Sequence, residues 1–230
     1  MESASFKSGR MRDASLRVGT GTQACWEPAR LEARSPGQGR RLTSTESVGF
    51  KEWASVCEAL GRGEQCILLR KGGIAEGRAG FGFRHTEFFL LPTYFHEQVE
   101  KTRLVHAEAP AQRTGEIEIK FFVKLETSAV LREWATASAL ESFHVLQPEV
   151  VRERFEHDEA PGFHVAFVRV FRLTQPWIIP ELRAYRGCRS WVNLPALPDD
   201  AGREAVLSDA DHEARLQRFR SVISEPAPAG

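Results

Sequence analysis

The 230-residue chain carries 31 Lys+Arg against 31 Asp+Glu, with 42% hydrophobic and 27% charged residues. This balance excludes both a histone-like nucleic-acid coat and an acidic solvating chain. The length allows one domain with tails. No apolar run reaches the length of a signal-peptide core or a membrane span. The chain therefore reads as a soluble, cytoplasmic protein without a membrane partner.

Residues 1–47 are rich in Ser, Gly, Thr and Arg and hold few large apolar side chains. They cannot bury enough surface to offset chain entropy, so the segment is predicted to be a disordered extension. Nearly all large hydrophobics fall in 48–194, the predicted core domain.

Within the core, Phe50, Trp53, Cys57 and Leu60 recur at helical spacing and predict an amphipathic helix over 50–60. That places Lys51 and Glu52 at the edges of a solvated helix face, with Glu52 a candidate to reach Arg70 or Lys71. Gly61 and Gly63 stop the helix. Gln65 to Lys71 reads as a central strand, followed by a glycine-rich turn at 72–80. Phe81 to Leu91 reads as a hairpin or long strand ending at Pro92, with a short helix from Tyr94 to about Lys101.

Glu116 to Leu125 alternates as a half-buried strand. Val130–Leu140 and Pro148–Phe155 read as helices, Pro148 suiting a first turn. Phe163 to Leu173 is the longest predicted strand, with Phe163, Val165, Phe167, Phe171 and Leu173 on one face. Arg186 to Leu194 is a last strand. The tail, 195–230, is acidic and holds one helix capped by Ser208, with Leu216, Phe219 and Ile223 as its apolar stripe. Strands and helices mix without a βαβ rhythm, which predicts a single α+β domain with a mixed or barrel-like sheet flanked by helices.

Four blocks carry a resemblance. They are Phe50-Lys51-Glu52-Trp53 with Cys57-Glu58-Ala59-Leu60-Gly61; Ile67 to Ile74; His85 to Tyr94; and Tyr185 to Val192. In this order they resemble the uncharacterised bacterial family called domain of unknown function 1802, over roughly 50–194. The resemblance brings no activity with it. The layout also looks like the small barrel domains of the pseudouridine-synthase-and-archaeosine-transglycosylase (PUA) type, and that likeness implies RNA or a modified base as ligand.

Several residues stand out chemically. Arg70-Lys71-Gly72-Gly73 sits where a buried strand exits into the glycine-rich turn. Cations beside exposed backbone N–H groups suit a phosphate, although the Ser/Thr of a P-loop is missing. His85, Glu87 and His96 are candidates for acid–base catalysis, His85 and Glu87 sharing a strand face. Cys188, between Arg186 and Arg189, is a candidate nucleophile. Arg169 interrupts an apolar face and needs a carboxylate, with Glu52, Glu58 or Glu87 as possible mates, or a ligand. Trp191 is core packing or a stacking wall for a base.

Glu118-Ile119-Lys120 has the ExK half of a nuclease signature, but no aspartate lies between Asp13 and Asp158. No motif for a metal or resident cofactor stands out. The favoured reading is a binding module for a nucleotide, modified base or RNA, with pocket residues Arg70, Lys71, Gly72, Gly73, Arg169 and Trp191. The alternatives are a hydrolase or nuclease using His85, Glu87 and His96, and an interaction protein in which Lys51, Arg70, Glu87 and Arg169 close one ion-pair network.

Overall fold

The computed structural model describes residues 47–224 except 72–80, 96–97, 105–110, 158–159 and 198–200. Strand β1 (Ser47–Trp53) runs directly into helix α1 (Ala54–Gly61), followed by β2 (Ile67–Arg70) and β3 (Glu87–Thr93). The middle of the chain supplies β4 (Glu116–Leu131), α2 (Trp134–Ala139), α3 (Pro148–Glu156) and β5 (Phe163–Pro180). Short strands β6 (Trp191–Leu194) and β7 (Arg203–Ala205) precede α4 (Asp209–Ser224).

The fold is α+β around one mixed sheet. Strand order is β2-β5-β4-β3-β1-β6, with β7 also on β5. Only the β1–β3 pairing is parallel among the described strands. The sheet is open among the described strands, with β2, expected to be central, at one end of the order and β6 at the other. A side chain nonetheless links β2 to β1: the Arg70 guanidinium donates to the Lys51 main-chain oxygen and lies 4.8 Å from the centre of the Phe50 ring.

A large core cluster holds Phe50, Leu60, Leu68, Phe88, Phe167 and Phe219 together, so α1 and α4 pack on the sheet face that β1, β2 and β5 share. Each such fully buried side chain contributes about 1.5–3 kcal/mol. A smaller cluster, with Phe89, Phe122, Trp177 and Tyr185, forms separately. The long strands feed both, because β-bulges swap the facing of their side chains. On β4, Ile119 joins the small cluster and Phe121 the large one, across a register shift between them.

The same device alters β5. Phe163, Val165 and Phe167 lie in the large core as expected, but Phe171 and Leu173 belong to the small one. The register shift opposite Phe167 and Val168, between Leu125 and Thr127, explains the change.

Three further expectations are corrected. Residues 50–60 are not one helix: 50–53 close β1, and α1 starts at Ala54. A strand end followed at once by a helix start reproduced the three-and-four spacing. Val130 and Leu131 end β4, and α2 starts at Trp134. Residues 81–85 are not in a strand; β3 starts at Glu87 and continues through Pro92. The β4 pairing of β3 ends at Phe89, so one edge is already open at the proline.

Helix α3 begins at Pro148 as expected. Helix α4 is likewise present, with the Ser208 Oγ accepting the Asp211 N–H at 3.1 Å and Leu216 and Phe219 buried. Gly61 is required by packing, since a Cβ there would lie 2.1 Å from the Phe121 ring, and Gly63 turns the chain out of α1 with φ +73°. The expectation of disorder for 1–47 falls outside the described residues, apart from Ser47 in β1. No described helix is long and apolar enough to cross a membrane.

Candidate functional site

The site grows from two adjacent charges on β1. Lys51 is 8% exposed and Glu52 is 2% exposed, so neither lies on the solvated helix face predicted for it. Successive strand residues point to opposite faces. The Lys51 Nζ donates to the Tyr185 oxygen at 3.1 Å and to the Gly187 oxygen. Glu52 faces the other way, with Oε2 3.8 Å from the Arg70 guanidinium and Oε1 accepting the Trp53 N–H at 2.9 Å. Burying a carboxylate demands such partners.

On the Glu52 side a cleft of about 300 Å³ opens. Trp53, Leu69 and Val150 make its apolar wall, while Arg70, Lys71, Lys101 and Arg154 bring cationic groups to it, with His157 and Glu153 also lining. The end of β1, the end of β2 and helix α3 converge here. Val150, Arg154 and His157 follow one helical face at spacings of four and three.

Main-chain carbonyls orient the cations. Arg154 donates to the Leu69 oxygen at 3.1 Å and its guanidinium lies 4.5 Å from the centre of the Trp53 ring. Lys71 donates to the Ala160 oxygen at 2.6 Å. Burial lowers the Arg154 pKa below the usual range for arginine; Glu52 acts in the opposite sense and Arg70 reinforces the lowering. This cleft can therefore hold a compact anion with an apolar or aromatic part.

On the Lys51 side a second cleft of about 280 Å³ is lined by Lys51, Tyr94, Glu116, Glu181, Tyr185 and Arg186 among others. Burial pushes the Tyr94 hydroxyl up to about 12. Arg186 pairs with Glu181 at 3.2 Å.

Of the residues singled out by sequence, Arg70 and Lys71 share the first cleft, and the Glu52–Arg70 contact is present. Gly72, Gly73 and His96 lie outside the described residues. Trp191 does not line the first cleft. Its ring packs 4.8 Å from Phe50 and 4.8 Å from His85, and its indole N–H donates to the Gly82 oxygen at 3.1 Å. Arg169 pairs with Asp209 at the start of α4, not with Glu52, Glu58 or Glu87. The expected mates missed because α4 folds back from the tail.

His85 precedes β3 and so shares no strand face with Glu87, which pairs with Lys124 at 3.1 Å. Cys188 is exposed on the loop before β6. Lys120 pairs with Glu58 at 2.8 Å and Glu118 at 3.7 Å, so the ExK pair is tied into side-chain contacts. Among the described residues no group of three His, Cys, Asp or Glu could hold a metal ion. Among the described residues, members of the network expected for an interaction protein are seen as the pairs Arg70–Glu52, Glu87–Lys124 and Arg169–Asp209.

Sequence reasoning missed Trp53, Lys101, Arg154 and His157. The helical face Val150–Arg154–His157 was a readable signal. The approach of Lys101 was not, because it comes from a distant connection.

The model of the family described as domain of unknown function 1802 matches residues 49–218. The chain belongs to this family. The matched region takes in both clefts and reaches into α4, beyond the four blocks that suggested the domain of unknown function 1802. No curated protein matches the chain. Among solved structures, the ASCH protein of Zymomonas mobilis is 12% identical, with a TM-score of 0.39 over 75% of this chain and 94% of that one. A variant of that protein gives 13% identity and a TM-score of 0.40, covering 75% and 95%.

Proposed function

We propose that this domain is a binding module whose basic cleft takes a phosphate-bearing nucleic-acid ligand, a nucleotide, modified base or RNA. One observation carries the reading: Arg70, Lys71, Lys101 and Arg154 line a single cleft that also offers Trp53 as an aromatic wall. Guanidinium and ammonium groups recognise phosphate, and aromatic or guanidinium planes stack on bases.

Lys71 and Lys101 are half-exposed, so replacing them leaves the core intact. Binding of a fluorescein-labelled single-stranded RNA, followed by anisotropy across a salt series, tests the reading. Wild type should bind with salt dependence, and Lys71→Ala with Lys101→Ala should weaken binding. The log–log slope should flatten by about 0.7 for each phosphate that is no longer neutralised. Binding that ignores salt and is unchanged in the double variant would overturn it.

A further inference from the structure

The dimensions and surroundings of the basic cleft narrow the ligand class. Ligand pockets run from about 300 to 1,000 Å³, and this one, at about 300 Å³, is at the bottom of that range. Proteins that track a strand do so along a continuous basic groove holding about 4–16 nucleotides per module. The chain as a whole has no net charge to build such a groove.

The elements that build the cleft also carry carboxylates, which disfavour a passing phosphate backbone. Helix α3 carries Glu149, Glu153 and Glu156, all exposed, on the element that supplies Arg154. Glu156 is paired with Arg152, but Glu149 adds negative charge to the first turn. Glu153 lines the cleft itself, and the exposed Glu100 is the chain neighbour of Lys101. A second phosphate beside Glu153 would meet a carboxylate, and like charges in close juxtaposition repel.

The interior is arranged in two parts. Trp53, Leu69 and Val150 offer apolar surface, and the guanidiniums of Arg70 and Arg154 are anchored on the Lys51 and Leu69 carbonyls over the buried Glu52. Pre-oriented guanidiniums lose little freedom when an anion arrives, which favours a small ligand held at one point.

We infer that the cleft accepts one phosphate-bearing nucleotide, free or at the end of a chain, and does not track a strand. This rests on the binding reading above and specifies its ligand. A length series separates the two. The full chain is titrated by calorimetry with uridine, uridine 5′-monophosphate, and 5′-phosphorylated oligouridylates of four, eight and sixteen nucleotides, at two salt concentrations.

The inference predicts measurable binding of uridine 5′-monophosphate and at least tenfold weaker binding of uridine. Affinity should change by less than about threefold between the four- and sixteen-nucleotide chains. The salt slope should correspond to one phosphate, about −0.7 by the single-strand relation. Affinity climbing steadily with length on a steeper slope would overturn the single-nucleotide inference and leave the binding reading standing. Equal binding of uridine and its monophosphate would overturn the phosphate part. Absence of binding in every arm would remove both.

Discussion

Two clefts of nearly equal size lie on opposite sides of one strand, and their charge differs with the side chain that β1 buries beneath each. Glu52 points toward a cleft lined by Arg70, Lys71, Lys101 and Arg154; Lys51 points toward one lined by Glu116 and Glu181 as well as Arg186. A buried charge attracts its opposite, and strand alternation sends consecutive residues to opposite faces. The dipeptide Lys51-Glu52 thus stands between a cationic cleft on one side and a cleft of balanced charge on the other. The Glu52-side cleft sets four cations and Trp53 against one carboxylate, Glu153, whereas in the other cleft Lys51 and Arg186 are matched by Glu116 and Glu181, which is why the ligand is assigned to the first.

The comparison breaks most visibly at Glu52. Glu52→Gln leaves Arg70 and the partly desolvated Arg154 without their buried carboxylate. Losing one member of a buried pair costs about 3–5 kcal/mol, and urea unfolding should show a loss of that order. A loss under about 1 kcal/mol would mean that Glu52 does not hold the basic cleft together.

The pH window for such measurements is set by His144. Burial, assisted by Arg103 and Arg154, pushes it from its usual 6.5 down to about 4. Between those values the unfolded chain binds a proton that the folded chain refuses, so stability rises with pH through the window and is lost on acidification. The effect across the window is about 3 kcal/mol. The difference in stability between pH 6.5 and 4 should shrink by a comparable amount in His144→Asn, and an unchanged difference would show that other groups carry the acid limb.

A smaller effect is expected on the other face. Lys51→Met keeps the apolar stem and removes a costly buried charge, leaving the Tyr185 and Gly187 carbonyls each short of one donor. Orphaned groups of this kind cost about 1–3 kcal/mol, partly offset by the charge no longer being desolvated. Chemical denaturation should therefore show a smaller loss than for Glu52→Gln. If Lys51→Met proved the more damaging, the basic cleft would not be the more tightly specified side. The smallest effect belongs to Arg186→Gln at the rim of the second cleft, which should leave nucleotide affinity unchanged. A tenfold loss there would move the ligand to the Lys51 side.

The sequence made parts of this arrangement readable. Pro148 opening α3 and Ser208 capping α4 follow from local rules, the chain order of the blocks from the family resemblance, and the approach of Glu52 to Arg70 from the need of a charged strand end for a partner. The junction at Trp53 was misread because Phe50, Trp53, Cys57 and Leu60 keep helical spacing across a strand-to-helix boundary. The facing changes in β4 and β5 were invisible, since a bulge moves side chains between cores without altering composition. Arg169 found Asp209 and Arg154 found Trp53 through tertiary contacts that no short window contains.

The central claim is that the ligand lies in the Glu52-side cleft. The most direct test is a titration of isotope-labelled protein with uridine 5′-monophosphate, followed by nitrogen–proton correlation spectra. The account predicts saturable shifts of the Trp53 indole N–H and of the Leu69 to Lys71 and Val150 to His157 amides, with Tyr94, Tyr185 and Arg186 little changed. Shifts concentrated at Tyr94, Tyr185 and Arg186 with an unmoved Trp53 indole would contradict it.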